Sequence, residues 1–179
     1  MSQNTQFTPK LEAETPGVLQ VDSLRHILVH PDLLGEIQKG VEDRLGAKAG
    51  EFLYSAGAYW ASAIARRLKA ASVIDEQELL LLFCSHATEM GWGRWQLEGF
   101  SADDKRLMIR VQHSPAAAAY GESDLPVCHL LAGAVSGLAE LLLNMPCACN
   151  ESSCAAQGGP DCLFVAQGQE LAGGDGWEW

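Results

Sequence analysis

Apolar side chains recur at three- and four-residue steps through the first half of the chain, which is the spacing of amphipathic helices. The strongest run predicts a helix over residues 47–71. Its apolar positions are Phe52, Leu53, Ala56, Tyr59, Trp60, Ala63, Ile64 and Leu68. Another helix opens near Pro31. A third is predicted from Asp75, with Glu78 at the capping-box position, to about Met90.

The period changes after Gly91, where alternation replaces the helical spacing. Residues 92–100 and 106–113 are predicted as strands, joined by a turn at 101–104. Residues 115–121 are predicted as a small-residue loop.

The remaining elements are a helix and a second pair of strands. The helix is capped by Asp124, has Pro126 in its first turn, and is apolar nearly all round up to Leu143, which predicts burial. Residues 147–152 and 162–166 are predicted as strands around the Gly158–Gly159–Pro160 turn. This order favours an α+β fold: an antiparallel sheet of about four strands with helices packed on it.

A length of 179 residues suits one domain. Residues 1–20 are polar, contain Pro9 and Pro16, and are predicted as a flexible arm. The single domain covers residues 21–168, and a glycine-rich flexible tail covers 169–179.

Charge and hydrophobic length narrow the class of partner. Lys plus Arg is 12 and Asp plus Glu is 23, a net charge of −11 that disfavours nucleic acid and anionic membranes. No apolar stretch is long enough for a membrane span, and the N-terminus lacks the features of a secretory signal. We expect a cytoplasmic protein, whose six cysteines are thiols or metal ligands before disulfides.

Most of the cysteines lie in the C-terminal third, close to a glutamate. Glu151, Cys154 and Cys162 fall within twelve residues, and a turn between the two cysteines can bring their sulfurs together. Cys128, at the start of the buried helix, can supply a further ligand. Three thiolates and one carboxylate suit Zn²⁺ better than Mg²⁺ or Ca²⁺, and a site with four protein ligands is structural, not catalytic.

Two alternatives stay open on the residues alone. The cysteines can be buried free thiols, since Cys is a common core residue. Cys147, Cys149 and Glu151 alternate along one strand, so Cys149 can replace Glu151 as a ligand, or Cys147 and Cys149 can face the core.

The same residues carry a family motif. Cys128 opens a helix with a small-residue face, Glu-Ser-Ser-Cys at 151–154 is followed by Gly158, and Cys-Leu-Phe occupies 162–164. This pattern resembles the 4-vinyl reductase (4VR) domain family, over roughly residues 30–167. That family includes sensor domains of phenol- and xylene-responsive activators and a bacteriochlorophyll-synthesis protein. It is more distantly similar to Golgi tethering-complex subunits.

The resemblance implies a zinc ion and a pocket. Carried over from the aromatic sensors, the zinc ligands are Cys128, Glu151, Cys154 and Cys162, which prefers Glu151 to Cys149. It also implies a homodimer through the helical N-terminal half and an apolar ligand pocket between helices and sheet. The predicted ligand-binding residues are Phe52, Tyr59, Trp60, Phe83, His86, Trp92, Trp95 and His113.

Enzyme signatures are not found in the sequence. There is no dinucleotide fingerprint, Walker loop or His-Glu-x-x-His, and Ser136 lies inside a helix instead of at a nucleophile elbow. The leading hypothesis is therefore a non-enzymatic, zinc-stabilised module that binds a small hydrophobic or aromatic molecule. Two alternatives are an accessory protein of tetrapyrrole (bacteriochlorophyll) biosynthesis and an assembly protein with a filled pocket.

Overall fold

The computed structural model describes residues 16–21, 24–71 and 74–170. Most of the predicted arm and tail, residues 1–15 and 171–179, lies outside the described residues. The arm prediction is wrong at its last residues, because Leu19 and Gln20 already pair with a second strand. Strands β1 (Leu19–Val21) and β2 (Leu24–His26) form a small antiparallel sheet.

Three helices follow, close to their predicted positions. They are α1 (Pro31–Leu45), α2 (Ala49–Ala71) and α3 (Glu76–Glu89), with a single 3₁₀ turn at Gly46–Lys48. The predicted capping box is confirmed at the start of α3. There the Glu78 N–H donates to Asp75 Oδ1 at 2.7 Å, and the Asp75 N–H donates to Glu78 Oε2 at 3.3 Å.

The second half contributes the main sheet and two more helices. The strands are β3 (Arg94–Ser101), β4 (Arg106–Gln112), β5 (Cys147–Ser153) and β6 (Cys162–Gly168), antiparallel in the order β3-β4-β6-β5. The α+β prediction is confirmed. On β4, Leu107, Ile109 and Val111 are fully buried while their neighbours are partly exposed, so one face of the sheet packs on the core.

Helix α5 (His129–Leu143) lies on that face and is buried continuously from Leu131 to Ala139, as its composition predicted. It also crosses α2 at very short range. A Cβ placed on Gly133 would lie 1.8 Å from the Tyr54 carbonyl oxygen, and one on Gly57 would lie 1.9 Å from that of Leu130. The small-residue face of α5 therefore packs on α2, where only glycine fits.

The loop predicted over residues 115–121 is wrong, because Pro115–Tyr120 form a short helix, α4. Ser114 caps it by accepting the Ala117 N–H at 3.3 Å, Pro115 occupies the first turn, and alanines fill it. These are ordinary helix signals over a short length.

The predicted start of α5 at Asp124 is also wrong. Residues 122–128 are irregular, because they are tied to the C-terminal hairpin instead of to each other. The Ser123 N–H donates to the Ala156 carbonyl at 2.9 Å, and the Gln157 side chain donates to the Asp124 carbonyl at 2.8 Å. Cys128 becomes the residue before the first turn of α5.

Candidate metal centre and cavity

Four side chains from separate elements meet at one end of the sheet. Cys128 precedes α5, Glu151 is near the end of β5, Cys154 follows that strand, and Cys162 begins β6. Their ligand atoms all lie within 4.8 Å of one another, and they are the one group of this kind among the described residues. We refer to these four residues as the cluster.

The spacing of the sulfurs suits tetrahedral coordination. Cys128 Sγ and Cys162 Sγ are 3.7 Å apart. Two ligands at about 2.3 Å from a tetrahedral zinc ion lie about 3.8 Å apart. A bulge in β5 between Glu151 and Ser153 helps to form the site, because it changes the direction of the strand where the ligands converge.

Glu151 leaves one carboxylate oxygen without a partner. Its Oε2 accepts the Cys128 backbone N–H at 2.9 Å, which fixes the side chain. Its Oε1 is buried and accepts no hydrogen bond from any residue that the structure describes. A buried carboxylate oxygen without a donor is costly unless a proton or a cation meets it. The donor set and this oxygen therefore fit a metal ion.

The thiols of the cluster titrate far from one another. The Cys128 thiol, donating to Cys162, lowers the pKa of Cys162, and the Ala155 N–H adds to this at 3.4 Å. The same interaction, together with burial, raises the pKa of Cys128 well above its usual range. Burial raises the pKa of Cys154, and the Glu151 carboxylate adds to the rise. One thiolate is thus favoured, and further ones require a compensating positive charge.

Cys147 and Cys149 lie outside the cluster. Both are buried on β5, where the Cys149 N–H donates to the Tyr54 hydroxyl oxygen at 2.7 Å. The Cys147 carbonyl accepts the Ser136 hydroxyl at 2.9 Å. Of the open alternatives, the structure places these two cysteines in the core.

A cavity of about 550 Å³ lies between β2, the segment after it and the first three helices. Its wall is mostly apolar, with four polar side chains. The lining residues are Leu19, Arg25, His26, Ile27, Leu28, Val29, Pro31, Leu34, Trp60, Ile64, His86, Glu89, Met90, Gly91, Trp92 and Pro115. This volume is in the range of small-molecule sites.

Three of the predicted pocket residues line this cavity: Trp60, His86 and Trp92. The rings of Trp60 and Trp92 are 4.9 Å apart. Phe83 and Trp95 form a layer behind them, with Phe83 6.4 Å from Trp60 and 5.8 Å from Trp95, and both are buried in the core. These five aromatic and imidazole side chains are therefore brought together.

The other predicted pocket residues lie elsewhere. Phe52 and Tyr59 are 56% and 79% exposed, because they lie on the outer face of α2. His113 is exposed at the turn after β4, with a φ of 55°. None of the three lines the cavity.

Sequence reasoning missed the wall supplied by residues 25–31. That segment has no helical or strand period, so no periodicity singles it out. Its one signal is the apolar run Ile27-Leu28-Val29, and these residues stay 77%, 82% and 40% exposed. An apolar run left in solvent beside a proline-capped helix indicates a surface with a function.

Comparison with known families bears directly on the cluster. Residues 107–167 match the family model of the V-4-R domain, the 4VR domain of the sequence resemblance, a range that runs from β4 to β6 and includes the whole cluster. This segment is a 4VR domain. The resemblance predicted from the Glu-x-x-Cys and Cys-x-Phe motifs is confirmed.

Solved structures show that the fold around this 4VR segment is shared. The phenol-responsive sensory domain of the transcription activator PoxR, solved with phenol, superimposes with a TM-score of 0.77 at 19% identity, covering 90% of this chain and 85% of that one. A vinyl-4-reductase family protein from Methanocaldococcus jannaschii gives 0.50 at 16% identity, covering 80% and 97%.

A more distant similarity reaches a trafficking complex. Subunit 3 of the trafficking protein particle complex from Naegleria fowleri, solved covalently bound to palmitic acid, gives a TM-score of 0.54 at 14% identity, covering 78% of this chain and 95% of that one. A search of curated proteins by sequence gave no significant match. Within the described residues, no helix combines the length and hydrophobicity that crossing a bilayer requires.

Proposed function

We propose that this chain is a non-enzymatic, zinc-stabilised module that binds and senses a small hydrophobic or aromatic molecule. The observation that carries the proposal is the cluster: three sulfurs and an unsatisfied carboxylate oxygen converge beside a fold that also encloses a cavity. Its unpaired cysteines suit a reducing compartment, consistent with the cytoplasmic location predicted from the sequence.

Zinc is the cation that the donor set favours. Thiolates select a soft or borderline ion, and the single carboxylate is compatible with zinc. When bound, zinc supplies a cross-link between the β5–β6 hairpin and the start of α5. With four protein ligands the site leaves no position for a substrate, so its role is structural.

The wall of the cavity defines the chemistry of the ligand. Trp60 and Trp92 offer aromatic faces, and aliphatic side chains cover most of the remainder. His86, Glu89 and Arg25 add hydrogen-bonding groups at the wall. We therefore propose a small aromatic molecule with at least one polar substituent, and the similarity to a phenol-responsive sensory domain supports this class.

A cavity of about 550 Å³ favours ligand binding over the assembly hypothesis, which requires a filled pocket. The exposed apolar side chains on α1 and α2 support the predicted homodimer. Leu33 and Ile37 on α1 are each 51% exposed, and Phe52 and Tyr59 extend the apolar surface onto α2. In the proposed dimer this surface is the interface.

The test combines elemental analysis with calorimetry on the full chain purified without added metal. We expect one zinc per chain, and heat of binding when phenol is titrated into the zinc-loaded protein. Trp60→Ala, which opens the cavity wall, should weaken phenol binding, while Tyr59→Ala, on the outer face of the same helix, should leave it unchanged. A folded protein with less than ~0.2 zinc equivalents would contradict the metal assignment. Equal phenol affinity in both variants would contradict the assignment of the cavity.

A further inference from the structure

Ser114 stands between the cavity and the cluster. It is 2% exposed and joins β4 to α4. The next residue, Pro115, lines the cavity. On the other side, Ser114 Oγ lies 3.5 Å from Cys128 Sγ. One buried residue therefore touches a cluster sulfur and is bonded directly to the cavity wall.

The hydrogen bonds of Ser114 fix the direction of its hydroxyl when the cluster holds a metal. Its oxygen accepts the Ala117 N–H at 3.3 Å, which uses one acceptor position. A metal-bound Cys128 has no proton to donate, so the Ser114 hydroxyl donates to the sulfur. Such outer hydrogen bonds orient a metal ligand and tune the site.

The turn that carries Ser114 is packed tightly against the cavity wall. His113 adopts a left-handed φ of 55°. A Cβ on Gly93, whose φ is 93°, would lie 2.7 Å from the Gln112 carbonyl oxygen, so the two backbones are in close contact. Gly91 and Trp92, just before Gly93, line the cavity. A shift of Ser114 must therefore move this part of the wall.

We propose that Ser114 is a positioning residue that couples the metal-loading state of the cluster to the order of the cavity wall. Loading with zinc engages the Ser114 hydroxyl, holds the turn at residues 112–114, and thereby orders residues 89–93. Because coupling between two sites is reciprocal, a molecule that orders the same wall tightens metal binding. The inference rests on the proposed zinc site, and it adds a regulatory link that the site alone does not require.

Hydrogen exchange tests the link without any ligand in the cavity. The amides of Met90, Gly91 and Trp92 donate to the carbonyls of His86, Thr88 and Ala87, so their exchange reports opening of the wall. In the wild-type full chain, zinc should slow exchange in this segment by about fivefold or more compared with chelator-treated protein. In Ser114→Ala the zinc-dependent difference should disappear.

Two further variants separate coupling from stability. Ser114→Gly also lacks the hydroxyl but is well tolerated at a helix N-cap, so it serves if Ser114→Ala folds poorly. Ser136→Ala is the matched control, because Ser136 is equally buried and donates to the Cys147 carbonyl without touching the cluster. It should lower stability and keep the zinc-dependent protection.

Zinc content is measured on the same samples, so the two proposals fail differently. Wild-type protein that binds zinc without protecting residues 89–93 overturns the role of Ser114 and leaves the zinc site standing. Equal protection in wild type and a Ser114 variant does the same. Protein that binds no zinc overturns both.

Discussion

Glu151 distinguishes this cluster from a group of ordinary buried thiols. One of its oxygens is held by the Cys128 N–H, and the other has no donor among the described residues. A core thiol needs no partner, but a buried carboxylate oxygen does. The carboxylate, more than the sulfurs, therefore points to a cation.

Replacing that carboxylate should weaken the metal site without removing its shape. Glu151→Gln keeps an oxygen for the Cys128 N–H and loses the charge, so zinc affinity should fall by at least the ~10–100-fold that outer-shell changes cost. Competition with a chromophoric chelator measures it. Glu140→Gln is the control, because Glu140 also accepts a β5 backbone N–H, that of Cys147 at 3.3 Å, away from the cluster. Unchanged affinity in Glu151→Gln would remove Glu151 from the ligand set.

A second prediction at this scale concerns Cys84. Burial raises its pKa to about 12 from 9.0, so the neutral thiol stabilises the fold fully below pH 9.0, and that contribution is lost as pH rises toward about 12. Urea unfolding at several alkaline pH values should show a smaller loss per pH unit in Cys84→Ala than in wild type, by up to about 1.4 kcal/mol. Ser85→Ala, its exposed neighbour, should keep the wild-type slope. Parallel slopes in wild type and Cys84→Ala would show that this thiol is not desolvated.

At the scale of elements, the crossing of α2 and α5 is fixed by glycines. Gly133→Ala places a methyl group 1.8 Å from the Tyr54 carbonyl oxygen, so the helices must separate. We expect a loss of at least about 2 kcal/mol in the free energy of unfolding by urea, although alanine favours helix. Gly40→Ala in α1 meets nothing within 4 Å and should stabilise by about 0.5–1 kcal/mol. Equal effects of the two changes would show that the crossing is not this close.

The same scale shows what the sequence could predict. Periodicity located α2, α3 and the strand pairs, because their apolar spacing and the Asp75 capping box are local signals. The start of α5 was misplaced because Asp124 and Pro126 look like a helix opening. Long-range bonds from Ser123 and Gln157 hold that segment in another conformation. The cluster was predictable from its motif, whereas the wall at residues 25–31 was not, because its position depends on tertiary packing alone.

For the whole molecule, the exposed apolar face of α1 and α2 predicts self-association. Tyr59→Glu puts a charge at a position that is 79% exposed in the single chain, so it should weaken the dimer by about tenfold or more with little effect on folding. Sedimentation equilibrium measures this. Arg67→Glu, exposed at the far end of α2, is the control and should leave the dimer intact. Wild-type protein that stays monomeric at high concentration would reject this interface.

The central claim joins the C-terminal hairpin to α5 through one metal ion, and zinc X-ray absorption of the purified full chain tests it most directly. The account predicts a four-coordinate zinc with three sulfur ligands at about 2.3 Å and one oxygen at about 2.0 Å. A zinc with four sulfur ligands would show that a fourth cysteine replaces Glu151. A preparation without zinc, whose cysteines remain free thiols in a folded protein, would contradict the account.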